Sequence, residues 1–171
     1  MSVKEVAAKA KKVKEEQSYQ FVTFVLGGEH HAVKIEHVKE VAVTPKVSKM
    51  PRTPSFIKGV ANVRGELIAI VDLEERFNMK PVLSLNSGLN SKTYTIVIDA
   101  DTYTIGFTVN EVPNTLILTD SQIDRSADVV EKAKIRNRFI DGVGKAVGGD
   151  LIILLDILKV LSESEIRQIS K

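Results

Sequence analysis

The chain spells one structural programme twice. Ile57-Lys58-Gly59-Val60, Gly65-Glu66-Leu67-Ile68 and Val71-Asp72-Leu73 recur in order as Ile140-Asp141-Gly142-Val143, Gly149-Asp150-Leu151-Ile152 and Leu155-Asp156-Ile157. The offset is 83 residues, growing to 84 after one extra residue in the turn. Upstream, Val38-Lys39-Glu40-Val41 is matched with Val109-Asn110-Glu111-Val112. A duplication of this kind implies two equivalent units. Units of ~60–70 residues bury little apolar surface alone, so a shared apolar seam is expected between them.

The units read as β-structure. Aromatic residues are only 5% and Trp is absent, so the core must come mainly from Val, Ile and Leu, whose β-branched members favour strands. Tyr19–Leu26 and His30–Ile35 read as strands around Gly27–Gly28, and Gly59–Val63 and Glu66–Asp72 around Arg64–Gly65. Glu36–Val41 reads as a short helical patch, followed by Pro45, Pro51 and Pro54. Asp72 is placed to cap a short helix at Leu73–Phe77, with Glu75 completing a capping box. Residues 84–92 are polar and read as a flexible connection. Lys92–Asp99 and Thr102–Val109 then pair around Asp99–Asp101, and Arg138–Ala146 and Leu151–Leu155 around Gly148–Gly149. Ser121–Arg136 reads as polar and partly helical, Ile157–Leu161 and Glu163–Ile169 as closing helical turns. The expected fold is therefore mainly all-β: two five-stranded barrels, about 19–83 and 92–161, with a helical turn at 162–171. Residues 1–18 form a charged helical extension, in which Val3, Val6, Ala7, Ala10 and Val13 recur at helical spacing among lysines. That stripe is too small for a membrane-surface helix.

Several chemistries are excluded by what the chain carries. With no Cys there is no disulfide framework and no thiolate metal site. His30 and His31 are neighbours on a strand and point to opposite faces, so with His37 they make a poor metal site. No Ser sits in a nucleophile elbow, and Gly27–Gly28 and Gly148–Gly149 lack the Lys of a phosphate loop. Asp72 and Asp156 resemble a carboxylate pair, but their duplicate strand-end positions point to helix capping. No enzyme activity and no cofactor is expected. No apolar run is long enough to span a bilayer and no signal core begins the chain, so a cytoplasmic protein is expected.

Two binding classes remain. A small-barrel nucleic-acid binder would need a basic excess and a platform of stacking rings. Here 24 basic residues face 22 acidic ones, and Phe21, Phe24, Tyr94, Tyr103 and Phe107 alternate along strands as core residues do. Lys49, Arg52, Lys58 and Arg64 form a loose basic zone that reads most simply as solvated surface. A protein–protein adaptor fits better. The clue is a break in the repeat: Asn62-Val63-Arg64-Gly65 stands where the second copy has Ala146-Val147-Gly148-Gly149. The turn itself does not require Arg64; its side chain is either solvated or an anchor for a partner or facing loop.

The block from Phe56 to Gly65, continued by Leu67-Ile68-Ala69-Ile70-Val71-Asp72-Leu73, resembles the signature of the CheW family and of the regulatory domain of the kinase CheA. Ile105–Val109 and Phe139–Val143 fit the same pattern, and the resemblance covers about 19–161. It implies two intertwined SH3-like barrels in a non-enzymatic chemotaxis adaptor. Its partners would be the CheA regulatory domain and the cytoplasmic tip of methyl-accepting receptors, without nucleic acid or membrane insertion. Carried over by position, Val38, Arg64, Tyr94 and Val112 would line a receptor groove, and Glu40 and Gly59 would contact receptor or kinase. The extension at 1–18 is outside the family pattern, and no kinase or receiver segment accompanies the domain.

Overall fold

A computed structural model of the chain describes residues 16–79, 92–126 and 137–169. The strands are β1 (Ser18–Leu26), β2 (Glu29–Lys34), β3 (Val38–Val43), β4 (Val47–Ser48), β5 (Ile57–Val63) and β6 (Glu66–Val71) in the first half. The second half supplies β7 (Tyr94–Asp99), β8 (Thr104–Val109), β9 (Asn114–Thr119), β10 (Ile123–Asp124), β11 (Ile140–Lys145) and β12 (Leu151–Leu155). Two short helices, α1 (Leu73–Arg76) and α2 (Glu163–Ile169), close the halves.

These strands form two six-stranded sheets, in the orders β9-β1-β2-β12-β11-β10 and β3-β7-β8-β6-β5-β4. The two orders are the same once each strand is exchanged for its repeat partner. Each half surrenders one hairpin to the other: β1–β2 joins the second half, and β7–β8 joins the first. The contiguous stretches 19–83 and 92–161 therefore each contribute to both sheets, and the barrels are intertwined. The exchanged hairpins dock through short parallel joints, β2 on β12 and β8 on β6, while every other pairing is antiparallel. Each sheet also closes toward a barrel. Lys39 and Glu40 on β3 reach Glu66 and Arg64 at the β5–β6 turn, although two strands, β7 and β8, lie between β3 and the β5–β6 hairpin in the sheet order.

The inner part of β6 is buried on both faces, which explains the uninterrupted apolar run Ile68–Val71. A central cluster draws on both sheets, with Val22, Phe24 and Val33 packed among Ile96, Phe107 and Val71. This is the expected seam. Inside each barrel lies a smaller cluster: Phe21, Ala32, Leu118, Ile152 and Leu154 in one, Ala61, Val63, Ile68, Ile70 and Val97 in the other.

The duplicated block is structural as well as textual. Both β5 and β11 carry a bulge just after their first residue, between Ile57 and Gly59 and between Ile140 and Gly142. The Asp72 amide donates to the Phe56 carbonyl at 2.7 Å, and the Asp156 amide to that of Phe139 at 2.8 Å. In each copy a two-residue strand crosses the bulge glycine. A Cβ on Gly59, whose φ is +145°, would lie 2.0 Å from the Ser48 carbonyl oxygen, and one on Gly142 would lie 3.0 Å from that of Asp124.

Four local expectations are corrected. The helical patch at Glu36–Val41 is one 3-10 turn, Ile35–His37, followed by β3. The bulge in β3 places Val38 and Val41 on one face although they are three residues apart, which imitates a helical spacing. The match of Val38–Val41 with Val109–Val112 is not a structural equivalence, because β3 opens at Val38 whereas Val109 ends β8. Asp72 caps α1 by accepting from the Glu75 amide at 3.2 Å. Asp156 makes no such cap; its carboxylate instead lies 3.5 Å from Lys159. Finally, the barrels have six strands each and not five, because β4 and β10 are two-residue strands too short for any periodic signal. The helical expectation for residues 1–18 falls mostly outside the described residues, with Ser18 already in β1, and so does most of the connection 84–92.

Candidate functional site

Cross-strand neighbours share a face, so the register of β3 on β7 decides where each β3 side chain goes. Val38 lies opposite Ile98, Val41 opposite Ile96, and Val43 opposite Tyr94. Ile96 and Ile98 belong to the central cluster, with Val38 and Tyr94 packed against it. Three valines of β3 therefore project on the seam side of the sheet. Toward Tyr94 the other sheet no longer covers them: Val41 is 40% exposed and Val43 54%. Beside Tyr94 runs Val109, and three residues beyond it Val112 is 62% exposed. The result is an apolar rim along the outer end of the seam.

The pseudo-symmetric position on the other sheet differs in chemistry. There Thr115 and Ile117 of β9 stand opposite Val22 and Gln20 of β1. Gln20 and Thr115 are polar and exposed, which leaves Ile117 as the exposed apolar side chain of that set. Burial alone cannot account for the difference, since the two rims occupy equivalent places in the fold.

Next to the apolar rim stands a charged corner. Arg64 sits in the two-residue β5–β6 turn with φ +50°, followed by Gly65 at φ +86°. A left-handed Arg costs roughly 1–2 kcal/mol relative to an ordinary conformation. The Asn62 side chain stiffens the turn by accepting from the Gly65 amide at 2.9 Å. Arg64 Nε lies 2.8 Å from Glu40 Oε2. Glu40 is on the barrel side of β3, opposite Val97, and is mostly covered, whereas the Arg64 side chain is 78% exposed. The guanidinium thus ties the turn to β3 through one nitrogen and presents the rest of its fork to solvent. Alongside, Lys39 Nζ donates to Glu66 at 2.9 Å, and that bond holds the ammonium above its ordinary pKa.

The six residues singled out from the sequence are not one cluster. Glu40 and Arg64 are in direct contact. Val38 and Tyr94 share a face but lie at opposite ends of the β3–β7 ladder, about 13 Å apart along the strand. Val112 adjoins the Tyr94 end. Gly59 is buried beneath Ser48 on β4, so it shapes the arm above it and offers no surface of its own. Val41 and Val43 were missed. Their signal, valines three and then two apart around a charged pair, is a bulged strand's pattern and reads as helix without the register.

Comparison with known proteins supports a family assignment. The model of the CheW-like domain matches residues 20–165. The chain is 31% identical to the chemotaxis protein CheW of Klebsiella aerogenes over 94% of this chain and 92% of that protein. It is 27% identical to the chemotaxis protein CheW of Treponema pallidum, over 91% of this chain and 89% of that one. Its fold superimposes on the scaffolding protein TtCheW of Thermoanaerobacter tengcongensis with a TM-score of 0.72, at 24% identity, covering 87% of this chain and 91% of that one. With the duplicated bulge, the exchanged hairpins and a family match spanning both barrels, the chain belongs to the CheW family.

Proposed function

We propose that the chain works in chemotaxis signalling as a non-enzymatic adaptor, joining the cytoplasmic tip of a methyl-accepting receptor to the regulatory domain of the histidine kinase CheA. The observation that carries this reading is the apolar rim of Val41, Val43, Tyr94 and Val112 at one end of the seam, whereas at the equivalent place Thr115 and Gln20 stand for Val41 and Tyr94 and leave Ile117 as the exposed apolar side chain. A helical partner with an apolar stripe buries its side chains there, and the exposed fork of Arg64 takes an acidic or carbonyl group at the border. Val38 supports the floor from the seam side, and Glu40 holds Arg64 in place. The chemistry is docking, with no reacting group required. No helix among the described residues is long and apolar enough to cross a membrane, and the adaptor is proposed to act in the cytoplasm beside the receptor's inner tip.

Binding of a receptor cytoplasmic fragment to the full chain tests the reading. Val43→Lys and Tyr94→Ala are expected to weaken binding about tenfold to a hundredfold, the range for a truncated interface anchor, with unchanged melting temperature for the exposed Val43 and a lower one for Tyr94, whose ring packs on the core. Ile117→Lys, at the pseudo-symmetric position, is expected to leave receptor binding unaltered. Equal affinities for all three variants and the parent would overturn the assignment of the rim. Tight, salt-dependent binding to oligonucleotides would favour the nucleic-acid reading instead.

A further inference from the structure

The parallel joint that holds the exchanged hairpin β1–β2 contains a buried histidine. His31 lies opposite Phe24 of β1 and Ile153 of β12. It is 0% exposed, whereas His30 beside it is exposed. Its ring stacks on Phe24 with centroids 6.3 Å apart, and Phe24 in turn meets Phe107 of the other sheet at 4.9 Å. Nδ1 lies 2.9 Å from the Glu29 carbonyl oxygen. A carbonyl only accepts, so Nδ1 carries the proton and the ring is the neutral tautomer. Nε2 then faces the interior as a bare acceptor with no hydrogen-bond partner.

The fold does not ask for this group. In the other half the same place, on β8 beside β6 and β7, is held by Ile105, opposite Ala69 and Ile98 and 1% exposed. The symmetry thus isolates one titratable ring where an aliphatic side chain suffices. We propose that His31 is an acid-sensitive latch: protonation at Nε2 puts an unpaired donor and a charge into the seam and loosens the hairpin β1–β2 from β12. This goes beyond the adaptor reading and does not depend on the identity of any partner.

The groups around the ring decide the sign. Burial acts first and lowers the pKa of His31, the carbonyl and charge of Glu29 raise it, and His30 lowers it again. Both of these groups are on β2 itself. The neighbouring strands offer Phe24 and Ile153, the opposite sheet Phe107, and the titratable groups packed against that cluster are the phenols of Tyr94 and Tyr103, of which burial raises the Tyr103 pKa further. Because the folded pKa lies below the unfolded value of 6.5, the unfolded chain binds the extra proton. The stability is complete above 6.5 and is lost as pH falls from there through the folded pKa.

The test is equilibrium unfolding of the full chain between about pH 8 and about pH 5, with the imidazole resonances followed in parallel. The unfolding constant of the parent is expected to rise toward tenfold per pH unit below 6.5, about the limit for one linked proton. His31→Ile, which copies Ile105, removes that rise, and His30→Gln leaves it in place. The opening constants of the β2 and β12 amides, taken as hydrogen-exchange rates divided by the intrinsic rate at each pH, rise first in the parent. Should His31→Ile fail to fold, the parent decides alone: a His31 ring that stays neutral below 6.5, with β2 protection factors falling as the pH drops, supports the latch. An ordinary titration of His31 without loss of stability would overturn it. So would equal acid dependence in His31→Ile and the parent, or loss of that dependence in His30→Gln.

Discussion

Arg64 and Glu40 are 24 residues apart in the chain and 2.8 Å apart in space, the one at a hairpin tip and the other on the far edge of the same sheet. Their contact is possible only because the sheet curls until β3 meets the β5–β6 turn. The second copy has Gly148 and Gly149 at the equivalent tip, with no side chain to make such a bridge. The bridge is therefore an addition to the fold, placed beside the apolar rim.

The pair itself contributes little to stability. Arg64 is 78% exposed, and an exposed pair of this kind is worth about 0.2–1 kcal/mol. A double-mutant cycle of Arg64→Ala and Glu40→Ala, read by thermal and denaturant unfolding, is expected to give a coupling below ~1 kcal/mol. Arg64→Gly is expected to be near neutral, since relief of the left-handed strain offsets the lost contact. A coupling of several kcal/mol would make Arg64 a structural brace first and a docking residue second.

Gly59 is expected to be the least replaceable position of the repeat. Gly59→Ala drives a methyl into the Ser48 carbonyl from a strained φ, and should cost on the order of 3 kcal/mol. Gly142→Ala meets Asp124 at 3.0 Å without a left-handed backbone, so its loss should be clearly smaller. Circular-dichroism melts of both variants check the ranking, and a reversed order would contradict the packing of the two arms.

The halves should not fold apart. In a fragment of residues 16–79, β1 and β2 lose β9 and β12, the outer neighbours they pair with. The remaining strands lose β7 and β8, which separate β3 from β6. Residues 16–79 expressed alone are expected to aggregate, and co-expression with residues 92–169 to restore a soluble complex. A monomeric, cooperatively melting fragment would show that the hairpins are not essential to each other's sheets.

Arg76 is expected to matter more than any surface charge. From α1 it donates to the Val160 carbonyl at 2.8 Å and to Glu165 of α2 at 3.3 Å. Its guanidinium also lies over Phe56 and Phe139, the paired residues of the two copies, at 4.7 and 5.1 Å. The side chain is 14% exposed. Arg76→Ala leaves a buried carbonyl and carboxylate short of a donor, at a cost of about 2–4 kcal/mol. Arg76→Lys should recover only part, because a single ammonium cannot stack on both rings while bridging the two acceptors. Equal stability of Arg76→Lys and the parent would mean that charge alone suffices.

Much of the fold is written locally. Gly27–Gly28, Arg64–Gly65 and Gly148–Gly149 all adopt the positive φ values that tight hairpins need, so three of the hairpins are legible from turn chemistry and alternation alone. The repeat announced two equivalent units, and the strand-and-turn pattern repeated in each announced barrels. What stayed hidden has a common cause. The bulge in β3 shifts the side-chain phase, so Val38 and Val41 read as helix and the rim that Val41 and Val43 build was invisible; two-residue strands such as β4 have no period at all.

Which half a hairpin belongs to was never a local question. Within β1–β2 the turn and the alternation are satisfied in either half, and the parallel fit of His31 and Ala32 against Ile153 and Leu154, with the pairing of β1 on β9, commits the hairpin to the second one. The same fit decides the fate of the two neighbouring histidines. Strand geometry requires His30 and His31 to point to opposite faces, which the sequence alone determines. That His31 is the one sealed in the seam, where the pseudo-symmetric half has Ile105, follows only from which strand lies beside it.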